Sequence, residues 1–470
     1  MSANPARNGE LLRLIPQVDR VLAAPELRAL LASHSRVRVI EELRRELDEM
    51  RARGLNGALK PSELAESAIS GRVGARLATA AIPYYRRVIN GTGVILHTGL
   101  GRAPLPAVAV DALARLAGNP VRVEIDLDSG ERGGRDQGCA ELLCELTRAA
   151  AATVVNNNAG ATLLLLAALA RGKDVILSRG ELVEIGGSYR VPEIMAESGA
   201  RLIEVGTTNR THLRDYERAL TDTTGMILKV HTSNYRIEGF TNEVGIAELA
   251  ALGRRAQVPV VHDLGSGCLL DLAARGIEGE PLVSDSLRHG ADLVCFSGDK
   301  LLGGPQSGII LGDAALVNRI RQHPLFRALR PCRLTYIALE AVLRIYRDGE
   351  ARAAEEIPAL ARLLATPAEL QRRAEALTRA LDGIAGLSAT VVEHFSMAGS
   401  GSLPARDIPT FAVRLEAAAC PESELAHKLR MGAPPILCRV RDGALLLDLR
   451  TLADAEFALI AASLRTALGS

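Results

Sequence analysis

No tryptophan occurs among the 470 residues, and phenylalanine and tyrosine bring the aromatic share to only 3%. Long apolar runs are missing too, and no stretch is apolar enough to cross a bilayer. The first residues, MSANPARNGELLRLIPQVDR, carry no apolar h-region, so a cytoplasmic protein without a leader peptide is expected. The seven cysteines (Cys139, Cys144, Cys268, Cys295, Cys332, Cys420 and Cys438) form no C-x-x-C pair and no disulfide-like framework, which fits a reducing compartment. His97, His231 and His262 stand at no metal-ligand spacing, so no metal is expected and structural or hydrogen-bonding roles are. A formal charge of +1 excludes a chain-wide basic field, and any nucleic-acid partner must be held by a local patch. Lysine is scarce: Lys60, Lys173, Lys229, Lys300 and Lys428 stand against 51 arginines. A lysine kept in such an Arg-rich chain marks a place where arginine would not serve.

What is present is enough apolar material, 48% against 24% charged, for a large interior divided over two or three domains. Residues 10 to about 75 carry apolar residues at helical spacing between charged ones, and a helical domain is expected over 1–80. Up to Lys60 there are 11 basic and 8 acidic side chains, a surplus that an ordinary solvated helical face explains by charge alone. From about Tyr84 short β-type runs alternate with helical stretches and glycine turns: TVVNNNAGATLLLLAALARG, DVILSRGEL, RLIEVGTT, GMILKVHTSNY, VPVVHDLGSG, DLVCFSGDK and GIILG. That alternation predicts an α/β domain over 81–335, a mostly parallel sheet covered by helices. After a helical passage, the strands LSATVVEHF, TFAVRLE and ILCRVRDGALLLDLR with two helices predict a smaller α+β domain over 336–470.

In parallel sheets ligands sit beyond the carboxyl ends of the strands. VVNNNAGAT passes from an apolar run through Asn158, Ala159 and Gly160 into a helix, an anion cradle of backbone N–H groups that also reads as a plain Asn-capped turn. VPVVHDLGSG delivers Asp263 at the end of a strongly β-type run, where a carboxylate needs a partner. DLVCFSGDK delivers Lys300 just after Ser297 from the next such run, before the small-residue turn LLGGPQSG. A lysine among apolar walls loses its proton more readily and acts as a Schiff-base amine. Each feature alone has an ordinary structural reading. Together they are what pyridoxal phosphate needs: a cradle for its phosphate, a carboxylate for its pyridine nitrogen and a lysine for its carbonyl carbon.

The segments RVINGTGVILHTGLGRAPL, EVGTTNRTHLRDYERA, ILKVHTSNYRIEGFT, DLGSG, FSGDKLLGGPQSGIILG and GSGSLP, with the asparagine-rich turn, resemble the bacterial selenocysteine synthase family over essentially the whole chain. The resemblance implies a fold-type I pyridoxal-phosphate transferase with an N-terminal helical tRNA-binding domain and a small C-terminal domain. It implies conversion of seryl-tRNA(Sec) to selenocysteinyl-tRNA(Sec) by loss of water to a dehydroalanyl ester, then selenium addition from selenophosphate. Lys300 and Asp263 are its catalytic residues, with Asn158, Ala159, Gly160 and Ser297 also at the cofactor. Arg102, Arg327 and Arg330 match its anion-binding arginines, suited to the phosphate of selenophosphate. A homodecameric ring is implied, in which repeated local patches hold the tRNA; Arg36, Arg38, Arg44 and Arg45 are candidate contacts. Where the family pattern reads HTNLGR this chain has Gly99, and Pro331 and Cys332 follow RALR where a more polar sequence is common. Tyr189, Glu184 and His231 are candidate neighbours of the cofactor ring.

Two other readings compete. A related lyase or aldolase acting on a small amino acid or sugar acid would share Lys300 and Asp263, but has no use for some 80 residues before VINGTG unless they pack an oligomer. A catalytically idle RNA-binding scaffold is expected to have lost the lysine or the phosphate turn, and both are intact. A nicotinamide enzyme is disfavoured because no G-x-G-x-x-G follows the first strand.

Overall fold

Val39, Leu43, Leu47 and Met50 recur every three or four residues along the helix Arg36–Leu55, and all four are fully buried. They pack with Ile69, Val73 and Leu77 of the helix Glu66–Ala81 and with Leu27 of Pro25–Ser33 into one small core. These helices make up a first compact unit that ends at Arg87; a second runs from Val88. The computed structural model describes residues 10–186, 189–399, 401–404 and 406–469. Gly187 and Ser188, which precede the candidate Tyr189, and Ser400 of the GSGSLP motif lie outside the described residues, as do the first nine.

One charge sits inside the first unit. Glu46 is 1% exposed and accepts hydrogen bonds from Arg72 Nε at 2.6 Å and Arg76 Nη2 at 2.9 Å, with Arg53 Nη2 at 3.3 Å. A buried carboxylate held by three guanidiniums leaves unpaired cations behind when it is neutralised. Because the arginines stay partly in water, Glu46→Gln is expected to cost about 2 kcal/mol, below the range for fully buried pairs. Urea unfolding of the variant beside wild type measures it, and an unchanged midpoint would refute it.

In the second unit, seven strands form the large sheet. With strands numbered along the chain, β1 is Ile89–Gly91, β2 Ala151–Val155, β3 Asp174–Ser178, β4 Glu184–Ile185, β5 Tyr189–Arg190, β6 Arg201–Val205, β7 Thr224–Val230, β8 Val260–Gly265, β9 Leu293–Ser297 and β10 Gly308–Gly312. The sheet order is β2-β10-β9-β8-β7-β3-β6, parallel throughout except for β10, which runs against both neighbours. β7 to β10 are buried at every residue, which is why they read as continuous apolar runs rather than alternating ones.

Four further strands, β11 Leu387–Ser396, β12 Ile408–Ala417, β13 Ile436–Arg441 and β14 Ala444–Asp448, build a second sheet in the order β1-β13-β14-β12-β11. Its core gathers Leu370, Leu377, Val413, Leu447 and Ile460. β1 pairs in parallel with Ile436–Cys438, so residues just after the first unit complete the smaller sheet. Among the described residues no helix is long and apolar enough to cross a membrane.

Candidate active site

The parallel strands β8 and β9 bring Asp263 and Lys300 to the same edge of the sheet, and both are 4% exposed. Asp263 Oδ1 accepts hydrogen bonds from Asn158 Nδ2 at 2.9 Å and from the Gly265 N–H at 3.1 Å; its Oδ2 accepts from Thr162 Oγ1 at 3.0 Å. Asn158 and Thr162 stand one helical turn apart on Asn158–Ala170, so a single face presents both donors. Burial pushes the Asp263 carboxyl upward, while Asn158, Thr162, the Lys300 charge and the Gly265 N–H pull it back. Oδ2 keeps a lone pair for one further donor.

Lys300 follows the end of β9 through Gly298 and Asp299. Burial pushes its ammonium group below the ordinary lysine range; Arg102 adds to that, and Asp263, Asp299 and Glu280 oppose it. Its amine lies close to Gly401. A Cβ on Gly401, whose φ is +73°, would stand 2.8 Å from Lys300 Nζ and 2.9 Å from Ser233 Oγ, so only glycine fits there. Two residues on, the Leu403 N–H donates to Glu280 Oε2 at 2.9 Å and holds the segment down.

The asparagine-rich turn divides its labour. Asn157 is the N-cap, and its Oδ1 takes the Gly160 N–H at 2.7 Å. The N–H groups of Asn158 and Ala159 lie in the first turn, where a helix has no acceptor of its own. Gly308 lets β10 run against this turn, because a Cβ there would meet the Asn157 carbonyl oxygen at 2.1 Å. Ser297, 7% exposed, pairs with Gly308 across β9 and β10.

Of the three arginines, Arg102 is the one placed beside Lys300. Arg102, at a left-handed φ of 65°, donates from Nη1 to Asp299 Oδ2 at 2.6 Å, beside Lys300. Arg327 and Arg330 are exposed, and Arg330 Nη1 lies 3.5 Å from Glu124 Oε1. Between them the Leu329 carbonyl accepts the Asn156 N–H at 2.9 Å, which ties this stretch to the turn. At Gly99 a side chain would press on the His97 ring, 3.3 Å from where its Cβ would lie. Cys332 is exposed as the N-cap of Arg333–Arg347. Arg36, Arg38, Arg44 and Arg45 are all exposed on Arg36–Leu55.

Of the candidate ring neighbours, Glu184 is exposed and pairs with Arg190 at 2.8 Å. Tyr189 is raised by burial and by the Asp263 charge. The His231 N–H donates to the Asp263 carbonyl at 2.8 Å, and burial with the nearby Lys229 charge pushes its imidazole down to about 4. Sequence reasoning missed Thr162, Ser233, Glu280 and Gly401. Thr162 was within reach, since its spacing from Asn158 is helical; Ser233 and Gly401 lie in segments that carry the family resemblance but nothing joins them to Lys300 in sequence, and Glu280 has no local mark.

Several polar atoms here are buried without a hydrogen-bond partner in the chain: Asn158 Oδ1, His231 Nδ1, Ser233 Oγ, Asp299 Oδ1 and Ser402 Oγ. Buried polar atoms are ordinarily satisfied, so this set fits a polar ligand lying between the helix turn and Lys300.

A solved structure of D-glucosaminate-6-phosphate ammonia-lyase superposes with a TM-score of 0.57 over 84% of this chain and 98% of that one, at 22% identity, a likeness of fold. The architecture is that of the fold-type I enzymes. Proteins named L-seryl-tRNA(Sec) selenium transferase from Geobacter sulfurreducens, Moorella thermoacetica and Solidesulfovibrio magneticus are 47%, 48% and 48% identical to this chain. The alignments cover 96%, 97% and 97% of it and 98%, 97% and 98% of theirs. The family model for the selenocysteine synthase N terminal matches residues 12–51, and that for L-seryl-tRNA selenium transferase matches residues 88–453. With the second model spanning most of the chain, the chain belongs to the L-seryl-tRNA selenium transferase family.

Proposed function

We propose that this chain converts L-seryl-tRNA(Sec) to L-selenocysteinyl-tRNA(Sec), with pyridoxal 5′-phosphate as cofactor and selenophosphate as selenium donor. The observation that carries the reading is the buried pair Asp263 and Lys300 on adjacent parallel strands, facing the first turn of Asn158–Ala170. Asp263 Oδ2 would hold the pyridine N–H, the Asn158–Gly160 turn with Ser297 the phosphate, and Lys300 the carbonyl carbon. Bound there, the cofactor supplies an electron sink for the serine Cα.

The side chains of this chain do the rest. Lys300, with its proton affinity lowered by burial, takes the Cα proton and later returns one. The three donors on the Asp263 oxygens and the Lys300 charge favour its anionic form against the burial that pushes the carboxyl upward. The Cβ–O bond breaks as the hydroxyl takes up a proton and leaves as water; selenium then adds at Cβ as a proton returns to Cα, and water cleaves the donor's Se–P bond to release phosphate. Arg102, Arg327 and Arg330 supply charge that does not titrate for the phosphate of the donor. A cytoplasmic ring of subunits belongs to the same reading, with Arg36, Arg38, Arg44 and Arg45 repeated around it to hold the RNA by many weak contacts.

The test is conversion by the purified holoenzyme of tRNA(Sec) charged with labelled serine. Labelled selenocysteine is expected on the tRNA only when selenophosphate is present. Turnover of a free amino acid or amino-sugar acid, with the charged tRNA ignored, would overturn the reading in favour of a small-molecule lyase.

A further inference from the structure

Two segments with residues near the Lys300 amine also contribute residues to the lining of one cavity of about 570 Å³. A Cβ on Gly401 would stand 2.8 Å from Lys300 Nζ and 2.9 Å from Ser233 Oγ, so both residues, Ser233 in the first segment and Gly401 in the second, neighbour the amine. From the first segment His231, Tyr235 and Arg236 line the cavity; from the second, Leu403 and Arg406 do. The cavity therefore lies alongside the two segments that neighbour the reacting amine, and it is within the size range of small-ligand sites. Its far wall is polar, with Arg210 and Asn242.

Three arginines, Arg210, Arg236 and Arg406, and three glutamates, Glu181, Glu243 and Glu278, line it. The one deeply buried acid in the lining, Glu181, is neutralised by Lys229 at 2.9 Å, and Glu243 lies 3.6 Å from the same amine. Arg406 donates to backbone carbonyls of Glu278 and Gly276, Arg210 Nε to the Phe240 carbonyl at 3.0 Å, and Arg236 meets only the exposed Glu238, at 3.6 Å. Beside the cavity stands Phe240, 83% exposed in a chain with only six phenylalanines. The Arg210 guanidinium carbon lies 5.8 Å from its ring centroid. An exposed ring paired with arginine is a platform on which a base stacks, and free guanidinium edges hold the adjoining phosphate.

We propose that this cavity is the subsite for the 3′-terminal nucleotide of the tRNA, the one that carries the seryl ester. The inference rests on the tRNA substrate proposed above. Phe240 and Arg210 take the base, Arg236 and Arg406 the phosphate, and the ester points past Ser233 to Lys300. Lys229, the second buried lysine of the chain, keeps Glu181 from repelling that phosphate.

The probe is adenosine 5′-phosphate carrying serine in amide linkage at its 3′ position, titrated into the holoenzyme while the visible absorbance of the bound cofactor is followed. In Arg236→Ala and in Phe240→Ala the Kd for this probe is expected to rise about tenfold, the scale of one lost charged hydrogen bond or one lost stack. Melting temperature and unliganded spectrum are expected to stay at wild-type values, and Arg236→Lys to recover part of the affinity. Equal affinity in wild type and both variants would overturn the subsite. So would a wild-type enzyme that converts seryl-tRNA(Sec) but does not respond to the probe, with the functional reading left standing. An enzyme that converts no seryl-tRNA(Sec) would sink that reading and the subsite with it.

Discussion

Lys300→Ala is expected to lower conversion of seryl-tRNA(Sec) by at least about 10⁴-fold, the upper end of what a single positioned base contributes, since the covalent attachment of the cofactor is lost as well. The same loss is expected of Lys300→Arg. A guanidinium holds its proton at any working pH and cannot form the imine, and the small residues over the amine leave it no room. Single-turnover assays with charged tRNA measure both variants. A rate for either within tenfold of wild type would remove Lys300 from the chemistry.

Stability separates this role from a structural one. Burial holds the folded Lys300 below the ordinary lysine range, so the folded apoprotein binds this proton less well than the unfolded chain. The resulting destabilisation is fully present below the folded value and fades as pH rises toward about 10.4, the unfolded value. Lys300→Met should therefore raise the melting temperature of the apoprotein near neutral pH and lose that advantage in alkaline buffer. A structural lysine would show the reverse: its removal would destabilise the chain.

Lys300 and Asp263 were legible because each closes an apolar run of β-branched and aliphatic residues, and buried parallel strands end where ligands bind. The large sheet was legible for the same reason. The role of Asn158 was only half legible: its turn reads as an anion cradle or as a plain Asn-capped turn, and neither reading points to the side-chain N–H that Asn158 gives to Asp263. Nothing local marks Ser233 and Gly401 as neighbours of one amine, because tertiary packing alone joins their segments. β1 was hidden in the same way. Its three residues are too short for a periodic signal, and its partner is β13, near the other end of the chain. Glu46 escaped notice because it lies in a run of charges that reads as solvated, whereas Arg72 and Arg76 close over it from another helix.

Asp263→Asn is expected to cut activity by about 10² to 10³-fold, the scale of removing one preorganised electrostatic partner, while the fold survives. The hydrogen bonds show why the two effects separate. Oδ1 receives two donors, Asn158 Nδ2 and the Gly265 N–H, so the carbonyl oxygen of the new amide settles on that side. Its NH₂ then meets Thr162, whose hydroxyl can turn its proton to the Asn158 carbonyl, already 3.0 Å away, and accept instead. One N–H is satisfied in this way and the other faces the cofactor side, while the desolvation of a carboxylate is relieved, so the melting temperature of the apoprotein should stay near wild type. What fails is the outward face. An NH₂ where Oδ2 stood would offer a donor where holding a pyridine N–H would need an acceptor. The variant should retain pyridoxal phosphate poorly through gel filtration, and the lost activity should appear in kcat rather than in KM for the tRNA. Wild-type kcat in this variant, with cofactor retained, would mean that the carboxylate only packs the helix Asn158–Ala170 against the sheet.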